Sequence, residues 1–339
     1  MKALRYPAWD VLDIADVDEP VLASGEVVLQ VAAVGICGSE LEAVAHRSPR
    51  RVPPLVMGHE FCGEVIAVAP DVVEMKIGDR VVANSLIPCG RCRECRAGAT
   101  HLCPERGIFG MNRPGAFAER VAVPARVLLH LPERVSPLQG ALVEPLANGV
   151  HVWARLAATF PETVVVIGCG TIGLLALQVA KAGGALRLVA VDTSDARLAM
   201  AQAVGAEPLF NPARDAVVAE IRAFTRGRGA DVVIDAAGTP ATRRTAVEAV
   251  RPGGEVVWIG THGDLTELSG RDVVLGERRI SGSYSTTFAD LETAIGLFAH
   301  GRIDIEPWTR PFPLEEGARV FRGLLDAPPA DYAKAILLP

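Results

Sequence analysis

One apolar stretch, residues 163–180, has the order of residue types that a strand, a tight turn and a helix require. It reads TVVVIGCGTIGLLALQVA, with a β-branched run first, then three glycines, then Leu- and Ala-rich sequence. Its hydropathy alone would fit a membrane span, but the glycines and the early β-branched block predict a buried strand followed by a helix. We therefore expect a strand–turn–helix unit here and no membrane partner.

The turn of this unit contains the pattern GxGxxG. Its positions are Gly168, Cys169, Gly170, Thr171, Ile172 and Gly173. The first glycine permits the tight turn, the second lets backbone amides approach a pyrophosphate, and the third allows close packing of helix on strand. The positive end of the helix dipole attracts phosphates as well. We predict that this turn binds a dinucleotide and that Cys169 is a small buried filler.

Two residues further along bear on which dinucleotide is bound. Asp192 ends the next apolar run, about twenty residues past the last glycine, where a carboxylate accepts hydrogen bonds from the ribose hydroxyls of adenosine. It would repel the 2′-phosphate of NADP. Arg197, five residues on, keeps NADP open as an alternative, although a solvated helix arginine is the simpler interpretation. The sequence favours NAD.

Strand-like and helix-like segments continue to alternate after this unit. Residues 231–238 (DVVIDAAG) and 254–260 (GEVVWIG) are apolar runs that end in small residues, with the amphipathic segment TRRTAVEAV between them. The pattern predicts an α/β fold with a doubly wound parallel sheet and ligands at the carboxyl ends of the strands, where Ala237 and Gly260 fall. Before residue 150, short strands, turns and prolines predict a separate β-rich domain.

Four cysteines occur within fifteen residues, in the segment CGRCRECRAGATHLC. Spacers of two, two and seven residues let four thiolates meet at one centre, as in the closed tetrahedral shell of a structural zinc. Two disulfides are the alternative, but we identify no secretory segment, and a cytosol keeps thiols reduced. We predict a cytoplasmic protein with a structural zinc on Cys89, Cys92, Cys95 and Cys103.

Further candidate metal ligands lie in the β-rich part, with Cys37 in GICGSE, His59 and Glu60 in MGHEFCGEV, and Glu144 in LVEPLA. One thiolate, one imidazole and a carboxylate leave an open position for water or substrate, as a catalytic zinc requires. Each residue has a plainer alternative. Cys37 fits a buried thiol, His59 a polar residue beside a strand, and Glu144 a helix-start carboxylate before Pro145. The residue pattern alone leaves both interpretations open.

These motifs, in this order over essentially the whole chain, resemble the zinc-dependent medium-chain dehydrogenases/reductases of the alcohol dehydrogenase superfamily. GICGS, GHEFCGEV, GDRVV, the cysteine-rich segment, GAFAER, VEPLA and the dinucleotide motif carry the resemblance. The chain is most similar to the branch of sorbitol and galactitol-1-phosphate (polyol) dehydrogenases, with threonine dehydrogenases nearby. The resemblance implies a GroES-like catalytic domain at 1–150 and 286–339, with a zinc lobe at 86–105, and a Rossmann domain at 151–285.

The resemblance also implies where the cofactors bind. It places a catalytic zinc on Cys37, His59 and either Glu60 or Glu144, because the two carboxylates can alternate as the metal moves during turnover. With the cysteine-rich segment, this makes two zinc ions per chain. Ser283 lies in a segment that approaches the nicotinamide. Relatives of this kind are homodimers or homotetramers, so we expect a homo-oligomer.

Beside Cys37 the chain departs from the family pattern. Many relatives have Asp, then His two residues later, where this chain has Glu40 and Glu42. A glutamate at position 40 would orient the zinc-binding histidine only with a shifted backbone or rotamer. By resemblance Ser39 takes the alcohol proton, although a simple turn residue is the alternative. We expect the proton to pass from Ser39 to the nicotinamide ribose and solvent, with Glu42 or His46 as an optional acceptor.

The expected reaction is the zinc- and NAD-dependent oxidation of a secondary alcohol, a polyol or sugar alcohol, to its ketone, with hydride transfer to the nicotinamide. Arg47, Arg50 and Arg51 would bind a phosphorylated polyol or, alternatively, form a solvated loop. The other candidates are a threonine-type or simple secondary alcohol, and a non-catalytic zinc- and NAD-binding protein. The formal net charge of −6 argues against a nucleic-acid partner, leaving small molecules and copies of the chain itself.

Overall fold

The computed structural model describes residues 1–158 and 160–339. The strands are β1 (Lys2–Ala8), β2 (Val11–Asp16), β3 (Glu26–Gly35), β4 (Leu55–Val56), β5 (Glu60–Val68), β6 (Arg80–Ala83), β7 (Leu86–Ile87), β8 (Gly107–Ile108), β9 (Arg120–Pro124), β10 (Leu128–His130), β11 (Thr163–Ile167), β12 (Arg187–Val191), β13 (Leu209–Phe210), β14 (Ala230–Asp235), β15 (Val250–Trp258), β16 (Arg279–Gly282), β17 (Thr309–Pro313) and β18 (Lys334–Leu338). The α-helices are α1 (Gly38–Ala45), α2 (Arg93–Arg96), α3 (Pro137–Ala141), α4 (Val143–Ala154), α5 (Thr171–Ala182), α6 (Asp195–Ala203), α7 (Val217–Phe224), α8 (Pro240–Ala249), α9 (Gly270–Leu275), α10 (Phe288–Ala299) and α11 (Gly317–Asp326).

The described chain divides into two compact units. The first comprises Met1–Glu144, Thr286–His300 and Trp308–Pro339, and the second comprises Pro145–Ser285 and Gly301–Pro307. Compared with the boundaries expected from the sequence, residues 145–150 and 301–307 lie in the second unit.

The first unit is built on a β-sheet with strand order β10-β6-β5-β3-β18-β17, and β9 also pairs with β3. All of these pairings are antiparallel except that of β17 with β18. Apolar side chains of β3 and β5, including Phe61, lie in one core with aromatic rings from other segments, including Phe109, Phe117 and Phe321. Strand β18, near the end of the chain, lies next to the N-terminal strand β3 in this sheet.

The second unit contains a six-stranded sheet in the order β13-β12-β11-β14-β15-β16, in which every pairing is parallel. Strand order reverses direction between β11 and β14, which defines a topological switch point. Every residue of β11 is buried, as expected for a central strand covered on both faces. The predicted α/β class with a doubly wound parallel sheet is confirmed.

The apolar stretch 163–180 forms β11 and most of α5. Its turn lies at the carboxyl end of a central strand, and helix α5 buries eight consecutive residues, 173–180. Across the residues that the structure describes, we find no helix with the length and apolar character needed to cross a bilayer.

Candidate active site and metal centres

Three of the predicted metal ligands meet where β3 and β5 pair. Cys37 lies two residues beyond the end of β3, and His59 and Glu60 lie at the start of β5. Because these strands are antiparallel and Gly35 is opposite Glu60, the two segments lie side by side. The ligand atoms of Cys37, His59 and Glu60 are all within 4.8 Å of one another. One sulfur, one nitrogen and one oxygen ligand fit a zinc with an open position.

Gly58 sets the direction in which the chain enters β5. Its φ is +99°, a left-handed conformation that L side chains rarely adopt. A Cβ at this position would lie 2.7 Å from the backbone nitrogen of Phe117. The glycine in the motif GHE therefore lets His59 and Glu60 enter the site while the backbone packs closely against a neighbouring segment.

Glu40 links the two segments that carry these ligands. Its carboxylate is fully buried and accepts hydrogen bonds from the backbone N–H groups of Cys37 (3.0 Å) and Gly58 (2.9 Å). Its Oε1 also lies 2.8 Å from Nδ1 of His59. Glu40 thus reaches the histidine, so the longer side chain at this position does not remove the contact that orients the ring. The exposed residues Glu42 and His46 lie further along α1 and at its end.

Charge in this group of residues favours the ionised forms of Glu40 and His59. Burial raises the pKa of Glu40, but the charges of His59 and Arg51 and the hydrogen bonds outweigh it, so this pKa lies below its usual value. Burial lowers the pKa of His59, but Glu40 and Cys37 raise it well above its usual value. A metal cation would displace one of the two ring protons of the charged His59, because a histidine binds a metal only as neutral imidazole.

Lys334 supplies a buried cation that the sequence analysis missed. It is 2% exposed, forms an ion pair with Glu60, and donates a hydrogen bond to the carbonyl oxygen of Ile36 at 2.9 Å. Burial lowers its pKa, but Glu60 and Cys37 outweigh this effect and raise it. Lys334 is 274 residues from Glu60 in sequence, so no local pattern marks it.

The ion pair fits between strands because Gly35 has no side chain. Strand β3 lies between β5, which carries Glu60, and β18, which carries Lys334. A Cβ on Gly35 would overlap Oε2 of Glu60 and lie 2.7 Å from Cε of Lys334. The two charged side chains therefore meet across the middle strand in space that any larger residue would fill.

Glu144, the other predicted carboxylate ligand, is not part of the three-ligand group. It lies in the first turn of α4, is 6% exposed, and its Oε1 accepts a hydrogen bond from the hydroxyl of Ser85 at 2.7 Å. Burial raises the pKa of Glu144, and the charges of His59 and Glu60 also act on it. It is near enough to interact electrostatically with the ligands, but Glu60 is the carboxylate that the structure groups with them.

The three arginines of the following loop have different environments. Arg47 is exposed and pairs with Asp10, and Arg50 is exposed. Arg51 is only 3% exposed and donates hydrogen bonds to the carbonyl oxygen (2.8 Å) and the hydroxyl (3.2 Å) of Ser39. The interpretation of this segment as a solvated loop is therefore wrong for Arg51. Its side chain is buried because the loop folds back against Ser39 of α1.

The four clustered cysteines form a second candidate metal centre. Their sulfur atoms lie within 4.8 Å of one another, and none of the four forms a disulfide. Backbone N–H groups of Cys89, Cys92 and Cys95 each donate to a sulfur of another cysteine at 3.4 Å. Hydrogen bonds from the backbone of Arg91 and Cys92 lower the pKa of Cys89 to about 7. At Cys92 the backbone hydrogen bond from Cys95 is outweighed by desolvation and by hydrogen bonds with the other thiols, which raise its pKa to about 12, so these contacts favour the thiolate form of Cys89 first.

The glycine-rich turn between β11 and α5 has the local geometry that the motif predicts. Gly168 has φ +93°, and a Cβ there would lie 2.9 Å from the backbone nitrogen of Ala237. A Cβ on Gly173 would overlap the carbonyl oxygen of Gly168, whereas one on Gly170 would meet nothing within 4 Å. Gly170 is the N-cap of α5, and Thr171 and Ile172 begin the helix. Cys169 is fully buried.

The remaining predicted nucleotide-binding residues follow neighbouring strands of the parallel sheet. Asp192 follows β12, and its carboxylate accepts hydrogen bonds from the backbone N–H groups of Cys169 (2.7 Å) and Ser194 (2.8 Å). Ala237, Gly260 and Ser283 follow β14, β15 and β16 respectively. These residues all follow the carboxyl ends of parallel strands, and of these strands β14 adjoins the switch point, where α/β proteins bind nucleotides. Arg197 lies in the first turn of α6, its N–H bonded to the Ser194 hydroxyl at 3.4 Å.

Comparisons with known proteins agree with this arrangement. A family profile described as "Alcohol dehydrogenase GroES-like domain" matches residues 23–133, and one described as "Zinc-binding dehydrogenase" matches residues 171–300. L-threonine 3-dehydrogenase from Streptomyces coelicolor is 35% identical over 317 residues, which is 91% of this chain and 91% of that protein.

Solved structures of full-length relatives have the same fold. Galactitol-1-phosphate dehydrogenase from Escherichia coli has a TM-score of 0.93 at 29% identity, with 100% of both chains covered. A zinc-binding dehydrogenase from Sinorhizobium meliloti, bound to NADP, has a TM-score of 0.91 at 31% identity, covering 100% of this chain and 99% of that one. An alcohol dehydrogenase from E. coli CFT073, complexed with NADH, has a TM-score of 0.92 at 27% identity and the same coverage.

The β-rich unit with a mixed donor set, the parallel sheet with its glycine-rich turn, and the comparisons together define a zinc-dependent oxidoreductase with a GroES-like and a Rossmann-type part. The chain belongs to the zinc-dependent medium-chain alcohol dehydrogenases, as its motifs predicted.

The contacts of Glu40 predict a role in metal retention. Glu40→Gln keeps the size of the side chain but removes its charge, so it holds His59 and the Cys37 segment less firmly. We expect affinity for zinc at Cys37, His59 and Glu60 to fall by about 10- to 100-fold. Zinc content after dialysis against a weak chelator measures the effect, with the exposed Glu64→Gln as the matched control. Equal zinc retention in the two variants would contradict the prediction.

The two glycines that bracket the start of α5 predict different defects. In Gly173→Ala the new methyl group overlaps the Gly168 carbonyl, so we expect the free energy of unfolding to fall by about 1–3 kcal/mol. In Gly170→Ala the methyl group meets no protein atom, so stability is retained while NADH binding weakens. Chemical denaturation and NADH fluorescence titration separate the two effects. A Gly170→Ala protein that binds NADH like the wild type would show that this backbone does not approach the pyrophosphate.

Proposed function

We propose that this protein oxidises a secondary alcohol to a ketone, using a zinc ion bound by Cys37, His59 and Glu60 and the cofactor NAD. The observation that carries the proposal is the meeting of one thiolate, one imidazole and one carboxylate within 4.8 Å in a chain that also has the glycine-rich turn of a nucleotide-binding sheet. A closed cysteine site lacks the open coordination position that substrate chemistry needs.

We assign two zinc sites per chain. Cys89, Cys92, Cys95 and Cys103 would hold a structural ion, and Cys37, His59 and Glu60 a catalytic one, with Glu144 as an alternative carboxylate ligand. One carboxylate oxygen of Glu60 forms an ion pair with Lys334. If Glu144 replaced Glu60 as the zinc ligand, the Glu60 carboxylate could move away only by weakening this ion pair. When bound, zinc supplies the Lewis acidity that lowers the pKa of an alcohol, and the nicotinamide accepts the hydride removed from carbon.

Ser39 is the residue that we assign to proton transfer. It is exposed, whereas Glu40 beside it is buried, and its hydroxyl donates to Sγ of Cys37 at 3.3 Å. A hydroxyl there can accept the alcohol proton while it releases its own, so no charge accumulates on it. We propose that the proton continues to the nicotinamide ribose and solvent, with Glu42 or His46 as an optional acceptor.

The cofactor we propose is NAD. The buried Asp192 carboxylate is held by two backbone N–H groups at the end of β12 and would repel a 2′-phosphate. Related structures include one with NADP and one with NADH, so the family fold accepts both. In this chain the choice of cofactor depends on Asp192, which favours NAD, and Arg197, which would favour NADP. Because the Asp192 carboxylate is held in place by hydrogen bonds, we propose that it selects NAD, whose ribose has a free 2′-hydroxyl.

For the substrate we propose an alcohol that has a polar group on the carbon next to the reacting hydroxyl, and a polyol in particular. L-threonine and galactitol 1-phosphate, named for two of the relatives, both have a secondary hydroxyl beside another polar substituent. L-threonine is the second candidate, because L-threonine 3-dehydrogenases are among the relatives that match most of the chain. None of the three loop arginines is assigned to phosphate binding, because Arg47 is paired with Asp10, Arg51 is buried, and Arg50 is exposed as the solvated-loop alternative predicts. The contact of Glu40 with His59 removes one of the two departures that would favour a non-catalytic role, and Glu42 in place of the usual histidine is the other.

We further propose a cytoplasmic homo-oligomer. Strand β16 is at an edge of the parallel sheet, and three exposed apolar residues lie before it and on α9: Leu265, Val274 and Leu275, which are 84%, 72% and 71% exposed. An unpaired strand edge beside exposed apolar side chains fits pairing with a second copy. All seven cysteines are unpaired, as a reducing cytoplasm requires.

The function is tested by a substrate panel with NAD and with NADP, followed by absorbance of the reduced cofactor. The panel contains a free polyol, galactitol 1-phosphate, L-threonine and 2-propanol. We expect the highest kcat/KM with NAD and a polyol, and loss of activity after removal of zinc. Ser39→Ala should lower kcat at least about tenfold, whereas Ser24→Ala, on the surface, should not. The absence of turnover with every alcohol would refute the proposed reaction.

The oligomer is tested by substitution of one exposed apolar residue. Leu275→Glu places a charge beside the edge strand, so we expect the molar mass measured by light scattering after size-exclusion chromatography to fall toward that of one chain. Val73→Glu is the matched control, because Val73 is 90% exposed in the first unit. A monomeric wild-type protein, or an unchanged mass in Leu275→Glu, would contradict the proposed interface.

A further inference from the structure

The buried arginine beside Ser39 acts on the charge of Glu40 only from beyond ion-pair distance. Arg51 is 3% exposed, and its Nε has no hydrogen-bond partner among the described residues. Its guanidinium contacts Ser39 but forms no ion pair within 4.0 Å with a carboxylate of the described chain. Burying a charge without a direct counter-charge costs free energy. Packing alone is therefore a poor reason for an arginine at this position.

The hydrogen bonds of Arg51 hold the backbone oxygen and the hydroxyl of Ser39. One terminal nitrogen donates to the backbone oxygen at 2.8 Å, and the other donates to Oγ at 3.2 Å. A serine hydroxyl has one proton and two lone pairs. Since Arg51 occupies one lone pair and the proton is directed to Sγ of Cys37, one lone pair of Oγ remains to accept a proton.

We propose that Arg51 is a positioning residue for proton transfer through Ser39, an inference that rests on the alcohol oxidation proposed above. Its guanidinium holds the Ser39 hydroxyl in one orientation and places a permanent positive charge beneath it. During oxidation the alcohol O–H bond breaks and its proton binds the free lone pair of Oγ, while the original hydroxyl proton gives up its hydrogen bond to Sγ of Cys37 and leaves Oγ toward the ribose and solvent. Arg51 keeps all its protons throughout, because guanidinium does not deprotonate in proteins.

A substrate-binding role fits Arg51 less well. The Nε atom and almost all of the side chain are enclosed, so a phosphate or carboxylate would have to displace Ser39 to reach the guanidinium. Arg50, the next residue in the chain, is exposed and shares the same loop. Arg50 is therefore the matched control for an effect of charge in this loop that does not involve Ser39.

The test is a double-mutant cycle on the full-length, zinc-loaded enzyme. Arg51→Met, Ser39→Ala and the double variant are compared with Arg50→Met, using the best alcohol found for the wild type. We expect Arg51→Met to lower kcat by about 10- to 100-fold, with KM for NAD unchanged and Arg50→Met unaffected. In the Ser39→Ala background the same substitution should change kcat less than about twofold, because the two residues act as a unit. Arg51→Lys keeps the positive charge but cannot donate from two fixed nitrogen atoms at once. We therefore expect its kcat to lie between those of Arg51→Met and the wild type.

A second readout does not depend on turnover. Trifluoroethanol resists hydride loss, so its affinity for the enzyme with NAD, measured by calorimetry, reports how well the site accommodates the alcohol and its proton. We expect Arg51→Met to weaken this binding at least about fivefold and Arg50→Met to leave it unchanged. Equal affinity in wild type and Arg51→Met, or additive losses of kcat in the double variant, would overturn the proposal. A wild type that binds trifluoroethanol but oxidises no alcohol would refute the proposed reaction, and the binding comparison would still test Arg51.

Discussion

The carboxylate of Glu40 is the contact on which the arrangement of the candidate metal site depends. Cys37 and His59 lie on different segments, and neither strand pairing nor helix formation alone fixes their side chains. Glu40 joins the two segments because its carboxylate accepts hydrogen bonds from the backbone N–H groups of Cys37 and Gly58 and also contacts the ring of His59. A fully buried carboxylate is stable only while such partners are present, because desolvation disfavours its charge. The same three contacts therefore stabilise the fold locally and orient the proposed ligands.

Around this contact, buried charges of both signs lie close together. The carboxylates of Glu40 and Glu60 supply the negative groups, while Lys334 supplies a cation from the C-terminal strand and Arg51 one from the loop after α1. Lys334 reaches Glu60 only because Gly35 leaves a gap in the strand between them. The C-terminal strand is thus part of the electrostatics of the site as well as of the sheet. Charges held by packing need little reorganisation when a reaction moves charge nearby.

Sequence patterns predicted the features whose causes are local. The glycine-rich turn is recognisable because its steric demands lie within six residues, and the cysteine cluster because its ligands lie within fifteen. Parallel β–α alternation likewise predicted the sheet and the strand ends where Asp192, Ala237 and Gly260 lie. Lys334 was not predictable because it is 274 residues from Glu60, and the burial of Arg51 was not predictable because it depends on how the loop folds back onto Ser39. The contact of Glu40 with His59 is intermediate: its motif position was recognised, but its reach could only be seen in three dimensions.

This chain has Glu42 where many relatives have a histidine, and it has Arg51 in contact with Ser39, so the route of the proton has to be considered anew. A histidine can accept and release a proton near neutral pH, but a guanidinium stays charged and can only donate hydrogen bonds. If Arg51 orients Ser39, it influences the acidity and direction of the hydroxyl without carrying the proton itself. A proton that reaches Ser39 must then leave through the cofactor ribose, water, or an exposed group such as Glu42 or His46. In the mechanism we propose, a fixed cation next to the hydroxyl and a solvent-facing exit would form a relay in which the orienting group and the proton acceptor are separate residues.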